Sequence, residues 1–541
     1  MTNPNRRGIR SILYLAGIFL VVTPVLAASY PYLRTEKSVL AKPLMEAGLI
    51  QATGPLRVHP VNPRYFSDGS SKAILLAGSH TWRDFQAFGA GNPPADTFDY
   101  AGYLNFLKAN GLNFTRLWGW EQSKGPAGYP PDYFVSPMPY LRPGPDAAQD
   151  GLPKFDLSQF NQAYFDRMRQ HIIDAGNQGI YVDVQLFNGW SVGTKDGGPS
   201  PWPNHPFNAN NNINGINGDA NGDGNGYEVE TLAIPAITAL QDAYVKKVID
   251  TVNDLDNVLF EICNESEVGA SYVAWQNHMI DLIHSYEATK PKQHVVGFSV
   301  PYSAGASNSG NNSSIFSSNA DWVAPNEYDS AGYNYKSNPR PNGGSKVIIA
   351  DTDHLWGLGG DRAWAWKSFT RGLNVSYMDC YVEDAAFGCP ISQADPARLS
   401  LLANLGYALN YANRMNLAAM TPRGDLCSTG YCLANPAGGG AEYLVYLPTG
   451  GSVTVNLTAA AGELTVEWFN PGAGMTTAGG TTTGGATRSF TPPFSGDAVL
   501  YLHGVTPPER RYLPLILAAP APGAVFGSTR GASISNQHCN K

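Results

Sequence analysis

Asn257-Val-Leu-Phe-Glu-Ile-Cys-Asn-Glu265 is a short apolar run that ends in an amide and a carboxylate. Seven more apolar runs are spread along the chain, and segments with helical spacing of apolar residues lie between them. This alternation predicts βα units built around a parallel sheet. The eight runs span residues 73–77, 112–118, 179–187, 257–263, 294–299, 322–325, 346–350 and 374–378.

The number of runs selects among the parallel folds. Eight strands with intervening helices, within roughly 350 residues, predict a (β/α)8 TIM barrel with insertions over residues 55–418. A doubly wound open sheet, which needs fewer strands, is the alternative. The last helix is expected to begin at Pro396, because Asp395 suits the N-cap and proline suits the first helical position.

The pattern changes after residue 420, where the helical period disappears. Short β-type runs separated by Gly- and Thr-rich turns predict a small antiparallel β-sandwich over residues 419–505. The fold class is therefore α/β, a TIM barrel followed by a β-sandwich. A chain of 541 residues also favours two domains over one core.

The N-terminus has the pattern of an export signal. Arg6, Arg7 and Arg10 precede the apolar run 12–26, which predicts a signal peptide over residues 1–28 and a secreted or cell-surface protein. An uncleaved anchor is the alternative. A linker over 29–54 and a low-complexity tail over 506–541 complete the predicted organisation. The net charge of −8 gives no electrostatic reason to expect nucleic acid or an anionic membrane as partner.

Export would permit disulfide bonds. Cys427 and Cys432 are close in a turn-rich stretch, and Cys380 and Cys389 flank another, so both pairs are candidate local bridges. Free thiols are the alternative for each pair. Cys263 lies inside an apolar strand and is expected to serve packing alone.

Two carboxylates follow strands on which a barrel enzyme would place its chemistry, since the βα loops converge at the C-terminal ends of the strands. Glu265 follows the fourth run, and Asp351-Thr-Asp353-His354 follows the seventh. Cleavage of a glycosidic bond needs such a pair, one proton donor and one nucleophile or base. The sequence therefore predicts a carbohydrate-cleaving site between Glu265 and Asp351 or Asp353.

At this point the chain resembles a known group of enzymes. Arg116 in Asn113-Phe-Thr-Arg-Leu-Trp118, the Asn264-Glu265 pair and a strand-seven acid resemble the retaining β-glycosidase superfamily with fourth- and seventh-strand carboxylates. The layout is similar to that of the apiosidase-like barrels, which carry a C-terminal β-domain named for collagen binding. Val466-Glu-Trp-Phe-Asn-Pro471 resembles the start of that domain's signature. The resemblance covers roughly residues 55 to 505.

The resemblance implies roles for individual residues. Glu265 would be the general acid/base, Asn264 would bind the sugar 2-hydroxyl, and Arg116 would orient the nucleophile. Many relatives have Glu as nucleophile, whereas strand seven offers Asp here. Asp351 is preferred because it directly follows the apolar run, and Asp353 is the alternative because it faces the same side if the strand continues.

Further strand-end residues are expected to line the same mouth. Tyr328 is expected to hydrogen-bond the nucleophile, and Glu327 is a rival catalytic carboxylate. His80 and Asp379 suit an interior hydrogen bond equally well. The tryptophans suit either sugar stacking or core packing. The predicted substrate-binding set is His80, Trp82, Arg116, Trp118, Gln185, Asn188, Asn264, Asn326, Glu327, Tyr328, Trp356 and Asp379, with Trp120 and Trp190 as further stacking candidates.

A calcium-type loop lies in the insertion after strand three. Asp219-Ala-Asn-Gly-Asp-Gly-Asn-Gly-Tyr-Glu-Val-Glu230 fits the D-x-[DN]-x-[DN]-G-x5-E pattern. The pattern predicts a structural Ca²⁺ that pins the loop, and a flexible loop without metal is the alternative. The expected ligands are Asp219, Asn221, Asp223, Asn225 and Glu230.

Together these features predict an exported glycoside hydrolase that acts on a polysaccharide or oligosaccharide by a retaining double displacement, without an organic cofactor. We expect a monomer. A non-catalytic carbohydrate- or matrix-binding protein on a barrel scaffold is the main alternative, and a transglycosylase using the same residues is a weaker one. The C-terminal domain carries no catalytic constellation and is expected to pack on the barrel.

Overall fold

The computed structural model describes residues 52–504 apart from 127–131, 196–197, 303–311, 385–387 and 439. Eight parallel strands close into a barrel in the order of the chain, with β8 paired to β1 and β3 paired to β4. The predicted (β/α)8 barrel is confirmed. The strands are β1 Ala77–His80, β2 Phe114–Leu117, β3 Tyr181–Asn188, β4 Val258–Asn264, β5 Val296–Ser299, β6 Trp322–Ala324, β7 Val347–Asp351 and β8 Asn374–Met378.

Helices pack around this barrel after most of its strands. The last of them begins at Pro396, and the Asp395 side chain accepts a hydrogen bond from the Arg398 N–H at 2.8 Å, so the predicted N-cap is confirmed. Residues 325–346, between β6 and β7, form no helix. The helices are α1 Tyr100–Ala109, α2 Gln162–Asn177, α3 Pro235–Val252, α4 Ala270–Glu287, α5 Asn312–Ser317, α6 Arg362–Thr370 and α7 Pro396–Arg414.

The fourth strand is buried along its whole length, which explains its near-continuous apolar sequence. Strands of a parallel barrel are covered on both faces, outside by helices and inside by the side chains of the other strands. All seven residues of β4 are buried. Glu261 is the charged exception, and its side chain lies inside the barrel with 1% of its surface exposed.

The first strand lies further along the chain than the sequence predicts, since run 73–77 shares only Ala77 with it. Ile74 forms an antiparallel bridge with Phe66 instead. The barrel strand continues through Ser79 and His80, both completely buried. The prediction was wrong because polar residues buried inside a barrel interrupt the apolar pattern.

The C-terminal region is the predicted antiparallel β-domain. Its main sheet has the order β9-β10-β11-β16-β13-β14, and β12 pairs with β15. The strands are β9 Thr421–Pro422, β10 Cys432–Asn435, β11 Glu442–Leu447, β12 Val453–Asn456, β13 Glu463–Asn470, β14 Met475–Thr483, β15 Thr487–Phe490 and β16 Ala498–Gly504. In the described part of the chain, three pairs of short antiparallel strands lie outside the barrel sheet. They join residues 57–58 with 66–67, 87–89 with 134–136, and 140–141 with 156–160.

The β-domain shares a core with the last barrel helices. Phe469 packs in one cluster with Trp366 of α6 and Tyr411 of α7. Asp497 accepts hydrogen bonds from the Arg362 guanidinium at 2.9 to 3.2 Å and from the Tyr446 hydroxyl at 3.1 Å. The β-domain is therefore packed on the barrel through apolar and charged contacts.

One of the two expected disulfides is present. Cys380 and Cys389 are bonded. The expected bridge between Cys427 and Cys432 is wrong for this structure, in which both are free thiols. The Cys427 thiol lies 3.3 Å from the Thr429 hydroxyl instead. Cys263 is free and buried, as expected for a packing residue.

The predicted signal peptide, most of the predicted linker and the predicted tail lie outside the described residues. Among the residues that are described, the helices are too short or too polar to cross a bilayer.

Candidate active site

A cavity of about 730 Å³ opens among the loops that follow the barrel strands. Its walls carry the carboxylates of Glu265 and Asp353, the imidazole of His354 and the ammonium groups of Lys195 and Lys336. Aromatic rings supply much of the remaining surface, and they include Trp82, Trp118, Trp120, Tyr133, Trp190, Tyr302 and Trp356. A mostly apolar cleft with a few convergent polar groups is the usual form of a small-molecule site.

The two acids that face this cavity are Glu265 and Asp353. One carboxylate oxygen of each, together with a ring nitrogen of His354, forms a group whose atoms all lie within 4.8 Å of one another. Glu265 follows β4, and Asp353 stands two residues beyond the end of β7. The structure therefore brings two of the three predicted catalytic residues face to face.

Asp351 occupies a different place from Asp353. It is 5% exposed and is absent from the cavity lining. Its Oδ1 accepts hydrogen bonds from His80 Nε2 and from the Asp353 backbone N–H, each at 2.9 Å. Burial opposes ionisation of Asp351, but the contact with His80 and the positive charge of Arg116, 3.9 Å away, outweigh it and hold the pKa of this carboxyl below its usual value. Asp351 thus lies outside the cavity lining and supports Asp353 through the hydrogen bond with its backbone N–H.

Arg116 on β2 connects the acids inside the barrel. Its Nε and Nη2 donate to the two carboxylate oxygens of Glu261 at 2.5 and 2.7 Å, and its Nη1 donates to Asp353 Oδ2 at 3.1 Å. Nη2 also donates to Asn264 Oδ1 at 2.9 Å. The guanidinium is 2% exposed and therefore cannot relax into solvent. It fixes the orientation of Asp353 and Asn264 together.

The surroundings of Glu265 favour its protonated form. The side chain is 5% exposed, and Trp190 Nε1 donates to its Oε2 at 2.5 Å. Burial and the negative charge of Asp353 raise the pKa of Glu265 to about 8, against the opposing effects of Trp190, Lys195 and Arg116. A carboxylic acid that keeps its proton at neutral pH can act as a general acid.

Several other predicted residues serve the scaffold. Gln185 and Asn188 both donate side-chain hydrogen bonds to the Gly119 carbonyl, at 2.9 and 3.0 Å, and so fix the loop after β2. Asp379 binds the Arg398 guanidinium at 2.5 and 2.6 Å. His80 likewise forms the interior hydrogen bond to Asp351 described above.

The loop after β6 does not bring its predicted residues to the carboxylate pair. Glu327 pairs with Lys336 Nζ at 2.6 Å and accepts a hydrogen bond from Asn334 at 2.9 Å. Tyr328 is 50% exposed, and its hydroxyl hydrogen-bonds Glu327. The expected contact between Tyr328 and the nucleophile is therefore wrong in this structure. The Asn326 N–H donates to the Asn312 side chain at 3.0 Å, and Asn326 is also absent from the cavity lining.

The tryptophans divide between stacking and packing positions. Trp118 is 2% exposed, lies under the Arg116 guanidinium and stacks on His80. Trp356 is 38% exposed at the rim and can offer a ring face to a ligand. Trp82 lines the cavity from a cluster that includes the Cys380–Cys389 disulfide.

In the calcium-type loop, side chains accept hydrogen bonds from backbone N–H groups of the same loop. Asp219 accepts hydrogen bonds from the N–H groups of Asp223 and Gly224, at 3.0 and 2.9 Å, and the Asn221 side chain accepts from Asp223 N–H at 2.8 Å. Glu230 is not brought to this group, because its buried carboxylate contacts Cys263 Sγ and the Glu267 N–H. Glu228 reaches the loop instead and accepts from the Asn221 N–H at 3.0 Å. The other predicted ligand, Asn225, contributes its N–H to Asp223.

Sequence reasoning missed three residues that organise the site. Glu261 and Lys195 were overlooked because neither lies at a strand end, although a charged residue inside an apolar strand is itself a signal in the case of Glu261. Trp190 was noted only for stacking, whereas its indole donates to Glu265. The contacts of Lys195 and Trp190 depend on the path of loops, and the contact of Glu261 with Arg116 joins two strands that are far apart in the sequence. Residue periodicity encodes neither.

Comparison with known proteins gives two family matches and a set of similar folds. Residues 126–304 match a family described as a domain of unknown function (DUF6298), and residues 431–503 match one described as "Putative collagen-binding domain of a collagenase". Among curated protein sequences, no match was found. Neither family covers half of the chain.

Two solved structures share the fold over most of the chain. A glycoside hydrolase family 5 protein from Bacteroides vulgatus ATCC 8482 is 16% identical with a TM-score of 0.52, over 83% of this chain and 94% of that one. A second structure, described as a glycoside hydrolase, is 14% identical with a TM-score of 0.53, over 84% and 97% of the two chains. The barrel with its appended β-domain is therefore an arrangement that glycoside hydrolases also use.

Proposed function

We propose that the chain is a glycoside hydrolase that cleaves an O-glycosidic bond in a polysaccharide or oligosaccharide by a retaining double displacement. The observation that carries the proposal is the approach of one carboxyl oxygen of Glu265 to one of Asp353, within 4.8 Å, across the cavity. Retaining glycosidases hold their carboxyl groups about 5–5.5 Å apart, and inverting ones about 6.5–9.5 Å. The fold shared with glycoside hydrolases supports the same conclusion.

In this proposal Asp353 is the nucleophile and Glu265 the acid/base. Asp353 faces the cavity and is oriented by Arg116, whereas Asp351 is enclosed by His80 and the Asp353 backbone. Asp353 attacks the anomeric carbon while Glu265 protonates the leaving oxygen. Glu265 then takes a proton from the water that releases the sugar.

A hydrolysis screen tests this function directly. Wild-type protein and Glu265→Gln are incubated with plant, fungal and bacterial polysaccharides, and released reducing ends are measured. We expect wild-type hydrolysis of at least one glycan and a loss of roughly 100-fold or more in the variant, since general acid catalysis contributes 10²–10⁴-fold. Equal activity of the two proteins contradicts the role of Glu265, and binding of a glycan without cleavage by the wild type supports a carbohydrate-binding protein.

We further propose export of the chain to the cell surface or medium, supported by the basic and apolar pattern of residues 1–28. A carbohydrate polymer outside the cell would be its substrate. Tagging the C-terminus and sequencing the N-terminus of the protein recovered from medium tests the cleavage, and an intact N-terminus in the cytoplasmic fraction contradicts it.

We also propose a structural calcium ion in the loop 219–230, with Glu228 in place of Glu230 as the closing carboxylate. Asp219, Asn221 and Asp223 supply oxygen groups suited to a hard cation. Glu228 contacts this loop, and its second oxygen is buried without a hydrogen-bond partner. Calcium is expected to raise the melting temperature of the wild type and not that of Asp219→Asn, and an equal effect on both contradicts the site.

A further inference from the structure

Lys195 is a buried lysine whose charged group contacts the backbone of Glu265. Its side chain is 2% exposed. The Nζ donates to the carbonyl oxygen of Glu265 at 3.1 Å and to that of Tyr302 at 2.7 Å, and it lies 3.8 Å from the Glu267 carboxylate. Lysine is almost never fully buried unless its charge is compensated. Here the compensation comes from groups around the candidate acid.

The backbone of Glu265 needs such support. Its φ of 49° lies in the left-handed region, which is strained for a non-glycine residue and persists only where the surroundings impose it. The Tyr302 N–H donates to the neighbouring Ser266 carbonyl at 2.7 Å. Gly189 lies so close that a Cβ atom there would stand 2.1 Å from the Glu265 carbonyl oxygen. Lys195 completes this set by holding that same oxygen.

We propose that Lys195 is a positioning residue for the acid/base: its ammonium group holds the Glu265 carbonyl in the left-handed conformation and thereby sets where the carboxyl group stands in the cavity. The segment that carries Lys195 begins the long insertion after β3. The insertion thus contributes to the site through the contact of Lys195 with the Glu265 backbone, in addition to lining the cavity. The inference rests on the proposed function of Glu265.

The charge of Lys195 has a second consequence for the same carboxyl group. Among the described residues, the charged groups that act on Glu265 include Asp353 after β7, Arg116 on β2 and Lys195 itself. A ring nitrogen of His354 lies within 4.8 Å of a carboxyl oxygen of Glu265, and Glu267 lies 3.8 Å from the Lys195 Nζ. Asp353 raises the pKa of Glu265, whereas Lys195 and Arg116 lower it. Removal of the Lys195 charge therefore raises the pKa of Glu265 further and shifts the loss of its proton to higher pH.

The test compares Lys195→Met with Lys346→Met. Lys346 is a matched control because its Nζ also donates to two backbone carbonyls, those of Ser318 and Ala320, away from the cavity. The probes are the phenyl and 2,4-dinitrophenyl glycosides of a sugar that the wild type hydrolyses. Dinitrophenolate leaves without help from an acid, so in the first step, which kcat/KM reports, only the phenyl glycoside depends strongly on the position of Glu265.

For Lys195→Met we expect kcat/KM, which reports the first chemical step, to fall about 10-fold or more on the phenyl glycoside and to change by less than about 3-fold on the dinitrophenyl glycoside. The basic limb of the pH profile moves to higher pH. Lys346→Met lowers the melting temperature and leaves both properties as in the wild type. If Lys195→Met does not fold, Lys195→Gln is used, which keeps a donor for the Glu265 carbonyl but removes the charge. For this variant a basic limb moved to higher pH supports the inference, and an unmoved limb overturns it.

Equal loss on both probes with an unmoved basic limb overturns the inference, as does wild-type behaviour of Lys195→Met. Glu265→Gln is measured alongside to separate this result from failure of the proposed function. If that variant keeps wild-type activity, the role of Glu265 is wrong. If it is inactive while Lys195→Met behaves like the control, only the role of Lys195 is wrong.

Discussion

Among single residues, two acids that face the same cavity have different surroundings, and the surroundings give them different roles. Glu265 is enclosed and lies near a second negative charge, so it retains its proton. Asp353 accepts a hydrogen bond from the Arg116 guanidinium, which orients its carboxylate on the cavity. The division of labour between acid and nucleophile follows from these surroundings, since both side chains are carboxyl groups.

The protonation of Glu265 predicts the alkaline side of the pH profile. Burial and Asp353 raise its pKa to about 8, so the protonated acid is present below this pH and is lost as the pH rises through it. We expect kcat/KM to decline above about pH 8 for substrates with poor leaving groups. Initial rates between pH 4 and 10 check the prediction, and a decline that begins near pH 5 contradicts it.

Asp353→Asn and Asp351→Asn separate the two strand-seven acids. Loss of the nucleophile is expected to reduce kcat by on the order of 1,000-fold or more, whereas loss of the supporting Asp351 misplaces Asp353 and is expected to cost roughly 10–100-fold. External azide is a further readout, because it can replace a missing nucleophile. A larger loss for Asp351→Asn than for Asp353→Asn contradicts the assignment.

At the scale of elements, the close approach of two loops holds the acid in place. The turn after β3 begins at Gly189 and touches the backbone after β4. Gly189→Ala would place a methyl group 2.1 Å from the Glu265 carbonyl oxygen, so the two loops must separate. A displacement of about 1 Å can cost 100-fold in rate, and we expect a loss of that order.

Gly343→Ala is the control for this prediction, because a Cβ atom at that glycine meets no other atom within 4 Å. Its kcat and melting temperature are expected to stay near those of the wild type. Circular dichroism confirms that Gly189→Ala is folded before its rate is measured. Full activity of a folded Gly189→Ala contradicts the importance of the contact.

Part of the fold and of the site could be predicted from the sequence. The barrel followed from eight apolar runs, and Glu265 followed from its place at a strand end, because both depend on local periodicity. The choice between Asp351 and Asp353 could not be made in that way. It depends on how the chain turns after β7, where the Asp353 N–H binds Asp351 and leaves the Asp353 side chain on the cavity.

Contacts between residues far apart in the sequence also could not be predicted. Lys195 reaches Glu265 across seventy positions of sequence, and Arg116 reaches Glu261 across 145. Tyr328 was expected at the nucleophile, yet the loop after β6 carries it to Glu327 and solvent. Such partners are fixed by loop paths and by burial of charge, neither of which a single sequence displays.

At the scale of the whole molecule, the β-domain and the barrel share one apolar core, so we expect them to unfold together. Asp497 stabilises the contact between the barrel and the β-domain, because it is 8% exposed and binds both Arg362 of α6 and Tyr446 of β11. Asp497→Ala leaves these donors without their acceptor. We expect a loss of about 1–3 kcal/mol in the free energy of unfolding, measured in urea.

Asp425→Ala provides the matched comparison. Asp425 also pairs with an arginine, Arg423, but its side chain is 62% exposed, and surface pairs contribute little. Its unfolding midpoint is expected to match that of the wild type. Equal effects of the two variants, or two separate transitions in the wild type, contradict a shared core secured at Asp497.

Covalent trapping tests the central claim most directly. The protein is incubated with a 2-deoxy-2-fluoro glycoside of the sugar that it hydrolyses, carrying a 2,4-dinitrophenyl leaving group, and is then digested and sequenced by mass spectrometry. We expect one sugar adduct on the peptide that contains Asp353, at that residue. An adduct on Asp351 or on any other side chain, or a product of inverted anomeric configuration, would contradict it.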